Sequence, residues 1–282
     1  MSDKILELFT HATHRSDVNW QEVEKSQYCS YIDKKCNKTR KSEPHISIGT
    51  CSVVHGIKHS QGVVICPHRF LERRQIFLDC IHLLTLHEPG NELHIISEIS
   101  IPGGNVDYVL ASVKGERVVD FVGIEIQALD TTGTIWPERQ RFLQSVGIPV
   151  REEDIHSSSP YGINWKMSAK TILVQLHHKV ETFENINKHF VIVLQDALFD
   201  YIRREFNFDH LEEPKLGNAM HFHVYALQGT QDQARLHLAL RLSTDAAGIA
   251  KGLGLQISAK VELEVILEAL RRSISAKTLL TI

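Results

Sequence analysis

The sequence has no apolar run approaching the roughly 20 residues of a membrane helix, and no basic segment leading into an apolar stretch at its start. Neither a membrane-spanning helix nor a secretory signal is therefore expected. Residues 1–10 instead predict the start of an acidic amphipathic helix. We expect a cytoplasmic protein, in which thiols stay reduced.

An excess of positive charge is also missing. The 31 lysine and arginine residues are outnumbered by 34 aspartate and glutamate residues, which gives a formal net charge of -3. The overall field of such a protein does not attract nucleic acid, so contacts with phosphates have to come from a local patch. The basic run at residues 34–41 is a candidate for that patch.

The cysteines include no pair with the CxxC spacing that is typical of zinc sites. Cys29, Cys36, Cys51 and Cys66 are separated by 6, 14 and 14 residues, within a segment that has few large apolar residues. In the cytosol, cysteines grouped in this way are more often metal ligands than disulfides, and a metal ion can stabilise a segment with little core. The four thiolates predict a tetrahedral zinc or iron site.

Two alternatives to a four-cysteine ligand set stay open. His45, His55, His59 and His68 lie in the same stretch, and any of them is a possible substitute for one cysteine. The other alternative is a set of scattered free cysteines without a metal. Cys80 is expected to be a small buried hydrophobic residue on a helix.

After this segment, the pattern predicts a mixed α/β domain. Turns containing glycine separate many of the predicted elements. The predicted helices are residues 69–84, 137–145, 168–187 and 258–273, and the predicted strands are 93–99, 105–113, 118–129, 190–194, 220–227 and 234–242. We expect a mixed central β-sheet flanked by helices over residues 70–282, preceded at residues 1–69 by an N-terminal helix and the cysteine module.

Two neighbouring predicted strands carry acidic residues in an apolar setting. Asp107 follows Val106, and Glu125 and Gln127 alternate with isoleucines. Period-two geometry puts Glu125 and Gln127 on one face, and Asp107 lies beside Glu125 if the strands are adjacent. Two converging carboxylates suit a hard divalent cation, whereas an unpaired buried charge is costly. The alternative is a half-buried strand whose polar residues face solvent.

With Asp107 followed 18 positions later by Glu125 and then Gln127, the sequence resembles the PD-(D/E)XK nuclease superfamily. The resemblance implies a restriction-endonuclease-like core and metal-assisted phosphodiester hydrolysis, in which Asp107 and Glu125 hold magnesium. The third position is glutamine instead of the commonest residue, lysine. Glutamine has no titratable proton, so it can orient the attacking water but cannot act as a base.

Other charged residues are weaker candidates. Glu98, at the end of the preceding predicted strand, is a candidate catalytic carboxylate for a second metal ion, and otherwise a surface acid. Lys166 and Lys170, near the start of a predicted helix, are candidates for phosphate contacts, and otherwise belong to a solvated first turn.

The cysteine-rich segment, the sequence Cys66-Pro67-His68-Arg69-Phe70 and the Asp107, Glu125, Gln127 set together resemble the NotI-type restriction endonucleases, over about residues 28–195. The resemblance implies a type II restriction endonuclease with a magnesium-dependent core and a structural iron or zinc centre of four cysteines. Its substrate would be double-stranded DNA at a palindromic, GC-rich site. A homodimer and a DNA methyltransferase as genetic partner are also implied.

Two other functions are compatible with the sequence. One is a metal-stapled DNA-binding protein without catalytic activity, in which the basic run contacts phosphates and the sheet is a scaffold. The other is a nuclease of the same fold that acts on branched or damaged DNA. A binding module needs no carboxylate on an apolar strand, so Asp107 and Glu125 favour a nuclease.

Overall fold

The computed structural model describes residues 4–56, 61–102, 104–156, 161–229, 234–254 and 272. Nearly all of the helix predicted at residues 258–273 lies outside these ranges. Among the helices of the described ranges, none is both long and apolar enough to cross a membrane.

Short elements come before the central sheet. The strands are β1 (Ile5–Leu8), β2 (His11–Ala12), β3 (Tyr28–Cys29), β4 (Lys34–Lys35), β5 (Thr39–Arg40), β6 (Glu43–Ser47), β7 (Thr50–His55) and β8 (Gln61–Val64). The helices are α1 (Trp20–Ser26) and α2 (Gln75–Leu78), and 3₁₀ turns cover Pro67–Arg74 and Ile81–Leu83.

Longer strands and helices form the rest. The strands are β9 (Glu92–Ile101), β10 (Gly104–Lys114), β11 (Arg117–Gln127), β12 (Thr131–Thr132), β13 (Gly162–Ile163), β14 (His189–Gln195), β15 (Met220–Gln228) and β16 (Arg235–Thr244). The helices are α3 (Trp136–Ser145), α4 (Glu152–Ile155), α5 (Trp165–Asn185), α6 (Asp196–Glu205) and α7 (Ala246–Gly252).

The central sheet has six strands in the order β16-β15-β14-β11-β10-β9. Its middle strands β11, β14 and β15 run parallel, whereas the hairpins β9–β10–β11 and β15–β16 are antiparallel. Helices α5 and α6 pack on one face, and the turns around α2 cover the other. The predicted mixed sheet flanked by helices is therefore confirmed.

The predicted N-terminal helix is wrong, because residues 5–8 form strand β1. This strand pairs with β7 in a smaller sheet of order β2-β1-β7-β8. The acidic Glu7 is buried and accepts hydrogen bonds from Ser52 Oγ at 2.6 Å and Arg69 Nε at 2.8 Å. Glu7, which was expected on the solvent-facing side of a helix, is therefore part of a buried ion pair. The local sequence pattern does not reveal this contact.

The single continuous helix predicted at residues 69–84 is also wrong, because this segment forms two 3₁₀ turns and the short helix α2. Arg73 and Arg74 have left-handed φ angles of 53° and 57°, and they separate the first 3₁₀ turn from α2. Phe70, Phe77 and Leu84 still pack against the central sheet, as the apolar spacing predicts. The periodicity therefore identified the buried side chains but not the breaks between them.

The buried Arg69 links the N-terminal segment to the central sheet. Besides its ion pair with Glu7, its guanidinium donates to Glu72 at 2.7 Å and to the carbonyl oxygen of Ala234 at 2.8 Å. Ile5 and Leu8 belong to the same apolar cluster as residues of the central sheet. The predicted division into residues 1–69 and 70–282 stays a prediction.

One close approach sets the position of α5 on the sheet. A Cβ atom at Gly123 of β11 would lie only 2.3 Å from Cζ of Phe183 on α5. Only glycine allows the helix to come this close at that point. Lys179, one helical turn before Phe183, consequently lies over Glu125, two residues further along the strand.

We predict that Gly123→Ala lowers the free energy of unfolding by about 1–3 kcal/mol, because the added methyl group collides with a buried ring. Urea denaturation measures this change. Gly217→Ala is the matched control, because a Cβ atom there meets nothing within 4 Å. Equal stability of the two variants would contradict the close packing of α5 on β11.

Candidate active site

The strands β10 and β11 separate at one end of their hairpin. Their pairing runs only as far as Tyr108 and Ile124, whereas β11 continues to pair with β14 up to Gln127. In the space between them, Asp107 Oδ2 accepts a hydrogen bond from the backbone N–H of Ile126 at 2.9 Å. The side chain of Asp107 thus replaces the missing strand partner and lies beside Glu125.

Glu125 is buried, with only 7% of its surface exposed. Its Oε1 accepts a hydrogen bond from Lys179 Nζ at 2.7 Å, and Oε2 has no hydrogen-bond partner among the described residues. Burial raises the pKa of Glu125, and the charge of Asp107 raises it further, against the opposing effect of Lys179. The two carboxylates are therefore close enough to repel each other.

Glu98 lies on the other side of Asp107. The pairing of Val106 with Ile99 and of Tyr108 with Ser97 puts Glu98 opposite Asp107 on strand β9. Its left-handed φ of 57° distorts the strand locally without ending it, and its side chain is exposed. Acidic residues of three adjacent strands thus occur at one place in the sheet.

A cleft of about 320 Å³ opens beside these acids. Its wall includes Glu98, Asp107, Tyr108, His68 and Lys34, so residues of the cysteine-rich segment face the central sheet across it. Burial raises the pKa of Tyr108, and the charges of Asp107 and Glu98 raise it further. Glu125 does not line the cleft but lies buried next to Asp107.

Gln127 lies two residues beyond Glu125, at the end of β11. It is half-buried, and its Nε2 donates a hydrogen bond to the carbonyl oxygen of Ala128. It lines a neighbouring cleft of about 340 Å³ together with Lys38 and His68. The amide group of Gln127 is therefore near the acids, but its hydrogen bond is to the backbone of the next residue.

The lysine that contacts the acids is Lys179, which the sequence analysis missed. Lys166 and Lys170 are exposed on the first turns of α5, and neither forms an ion pair within the described residues. A signal for Lys179 did exist in the sequence. It falls among Leu176 and Phe183, on the apolar side of the helix, where a charged residue requires a partner.

The four cysteines of the N-terminal segment are buried near one another. Cys51 Sγ donates to the carbonyl oxygen of Gly49 at 3.4 Å, its proximity to Cys66 lowers the pKa of Cys66, and burial raises the pKa of Cys29 and Cys36. Nearby backbone N–H groups oppose the effect of burial on the pKa at Cys29 and Cys36, and they add to the lowering of the pKa at Cys66. Across the described residues, however, no three potential ligands are arranged to hold a metal ion.

The family model for the restriction endonuclease NotI matches residues 18–238. The chain belongs to the NotI restriction endonuclease family. The matched part includes all four cysteines of the N-terminal segment, the acids of the cleft and Lys179. None of the curated proteins compared with the chain matches it.

Membership in the NotI family establishes the class of activity. The chain is a type II restriction endonuclease, a site-specific deoxyribonuclease that binds double-stranded DNA. Restriction endonucleases generally use Mg²⁺. The cleft between β9, β10 and β11 is the candidate place for this chemistry, because Glu98 and Asp107 line it and Glu125, with its unpartnered buried oxygen, lies behind Asp107.

Asp107 has a structural role, accepting the hydrogen bond from Ile126, that can be tested separately from its negative charge. Asp107→Asn keeps an acceptor oxygen, whereas Asp107→Ala leaves the N–H of Ile126 without a partner. We predict that the alanine variant is less stable than the asparagine variant by about 1 kcal/mol in urea denaturation. Equal stabilities would mean that this hydrogen bond contributes nothing to the fold.

Proposed function

We propose that this NotI-family chain hydrolyses phosphodiester bonds of double-stranded DNA at a specific palindromic, GC-rich site, with magnesium held by Asp107 and Glu125. The observation that carries the proposal is the Oε2 atom of Glu125. It is buried next to Asp107, and no described residue donates a hydrogen bond to it. A cation at this place would satisfy both carboxylates.

The chemistry of the residues fits magnesium. Oxygen atoms of one or two carboxylates are the protein ligands that Mg²⁺ commonly takes in phosphate-processing enzymes. A buried carboxylate oxygen without a partner is otherwise costly, by about 1–3 kcal/mol. When bound, magnesium supplies positive charge that polarises the scissile phosphate and acidifies the attacking water.

The other polar residues of the cleft have supporting roles in this proposal. Glu98, exposed opposite Asp107, is an extra carboxylate for a second cation or for water in its outer shell. Gln127 orients the attacking water through its amide group, because it cannot accept a proton from it. Both roles require the side chains to turn toward the bound phosphate.

DNA contacts the protein along a basic strip beside the cleft in this proposal. A groove of about 660 Å³ adjoins the cleft and shares Lys34, Ser97 and Tyr108 with it. Arg73 and Arg74 line the groove, are exposed, and have no ion pair within the described residues. Such free cations contact phosphates and position the duplex, which compensates for the net charge of -3.

Most of the basic run at residues 34–41 has other contacts. Lys38 donates to the carbonyl oxygen of Ile65, Lys35 donates to that of His45, and Arg40 pairs with Glu43. Lys34 is the member of the run that lines the groove. The phosphate-binding patch therefore combines Lys34 with arginines that precede α2.

We further propose that Cys29, Cys36, Cys51 and Cys66 hold one structural iron or zinc ion in the cytoplasm. The lowered pKa of Cys66 favours its thiolate, which is the form that binds metal, and a cation among the four sulfurs would offset the burial that raises the pKa of Cys29 and Cys36. Metal binding would draw the sulfur atoms into a tetrahedron.

The remaining parts of the proposal concern partners. A palindromic site has two-fold symmetry, which a homodimer matches with one active site for each DNA strand. A methyltransferase of the same sequence specificity would protect the host DNA from cleavage.

We predict that the wild-type protein cuts unmethylated phage and plasmid DNA into discrete fragments with Mg²⁺ but not with chelator. Asp107→Asn and Glu125→Gln should lower the cleavage rate by at least about 100-fold. This is the upper end of the loss seen when a group that only supports a metal ligand is changed, and a ligand itself should matter at least as much. Glu116→Gln is the control, because it removes an exposed charge at the far end of the same hairpin. Gel electrophoresis of timed digests measures the rates.

Two results of these digests would contradict the proposal. Full activity of the Glu125→Gln variant would exclude this carboxylate as a ligand. Intact DNA with folded wild-type protein that binds DNA would favour the non-catalytic DNA-binding alternative.

We predict about one equivalent of iron or zinc per chain in protein purified without chelator, because four thiolates close a tetrahedral site. Cys66→Ala should lose this metal. Cys80→Ala should retain it, because Cys80 is buried elsewhere, with its sulfur 3.8 Å from His223 Nδ1. Elemental analysis by mass spectrometry measures the metal, and metal-free wild-type protein that is folded would contradict the prediction.

A further inference from the structure

Lys179 is an unusual residue for the middle of a long helix. It lies on α5, only 4% of its surface is exposed, and its Nζ is 2.7 Å from Oε1 of Glu125. A buried ammonium group is costly unless a partner and further hydrogen bonds satisfy it. The pair therefore calls for an explanation beyond simple stability.

A second, partly buried ion pair, formed by Asp120 of strand β11, gives a direct comparison. Lys188 Nζ lies 2.6 Å from Asp120 Oδ1, which also accepts from the N–H of Phe121. The other oxygen of Asp120 accepts from the N–H of Leu86 at 2.9 Å. Both oxygens of Asp120 thus have partners inside the protein, as expected for a purely structural pair.

The Glu125 pair is different, because only one of its oxygens is used. Lys179 occupies Oε1, and Oε2 has no partner among the described residues. A carboxylate is planar, so a hydrogen bond that holds one oxygen restricts where the other can lie. Lys179 therefore leaves Oε2 available next to Asp107.

The fold directs Lys179 to this position through its neighbours. The contact of Phe183 with Gly123 fixes the register of α5 on β11, one helical turn away. The aliphatic part of Lys179 passes the start of β10, since a Cβ atom at Gly104 would lie 3.6 Å from its Cε. The ammonium group thus lies where β10 and β11 separate.

We propose that Lys179 is a positioning residue of the nuclease site, whose ammonium group holds Oε1 of Glu125 so that Oε2 faces a divalent cation shared with Asp107. The inference rests on the proposed function, because it assigns the cation to that site. It also has an electrostatic consequence. The fixed positive charge repels the cation and weakens its binding while improving its alignment.

The test compares Lys179→Met with Lys188→Met, which removes the structural pair on the same strand. We expect Lys179→Met to lower the single-turnover cleavage rate in Mg²⁺ by about 100-fold, as for other residues that orient metal ligands. Calorimetry without DNA should show Ca²⁺ binding about tenfold tighter, because Ca²⁺ accepts flexible geometry and the repelling charge is gone. Lys188→Met should change neither value, although it lowers stability.

Opposite changes in rate and calcium affinity support the inference, because general damage to the fold would lower both. Cleavage by Lys179→Met at a rate within about threefold of wild type would overturn it, and so would loss of calcium binding together with activity. If Lys179→Met does not fold, Lys179→Arg decides, because it keeps the charge and the donor. A folded arginine variant as inactive as Glu125→Gln overturns the inference, and clear residual activity supports it.

The same experiment separates this inference from the proposed function. If the wild-type protein cuts no DNA, the nuclease proposal fails, and the calcium titration alone decides the role of Lys179. An affinity for calcium that does not change in Lys179→Met then overturns the positioning role. If the wild-type protein cuts DNA and Lys179→Met cuts equally well, only the inference about Lys179 fails.

Discussion

The burial of Glu125 on an apolar strand is the constraint on which the site depends. A carboxylate removed from water needs partners for both oxygens. In this protein the helix α5 supplies one partner, Lys179, at 2.7 Å, and the described residues supply none for the other oxygen. Where β10 separates from β11, Asp107 lies beside Glu125, and burial together with this second negative charge raises the pKa of Glu125. In the proposed function, a divalent cation completes the partners of Glu125.

Several features of the fold follow from keeping this group in place. Gly123 lets α5 lie close to the sheet, and the helix in turn brings Lys179 over the strand. On the other side of Asp107, the backbone of β9 is left-handed at Glu98, and this third acid is exposed in the wall of the cleft. Left-handed residues also occur at Arg73 and Arg74, which face the adjoining groove. Such backbone conformations are common at functional sites, although residues such as Gln27 and Asn187 adopt them elsewhere in the chain.

The sequence was sufficient for the strands that carry the acids, because alternation with apolar residues on β10 and β11 is a short-range pattern. It also indicated the mixed sheet, and the resemblance to the NotI family agrees with the family match over residues 18–238. Contacts between distant parts of the chain were not predictable. Lys179 lies 54 residues from Glu125 in the chain. Glu7 pairs with the distant Arg69, and its segment is a strand where the sequence predicted a helix. The Lys179–Glu125 and Glu7–Arg69 contacts both depend on tertiary packing, which the local periodicity of a sequence does not predict.

The central claim is that Asp107 and Glu125 share one divalent cation. The most direct measurement is anomalous X-ray diffraction from crystals soaked in Mn²⁺, which substitutes for Mg²⁺ and can be located by its own signal. The account predicts a peak within ordinary coordination distance of Glu125 Oε2 and a carboxylate oxygen of Asp107, and no such peak in crystals of the Glu125→Gln variant. Full occupancy of manganese elsewhere, with Glu125 Oε2 unoccupied, would contradict it.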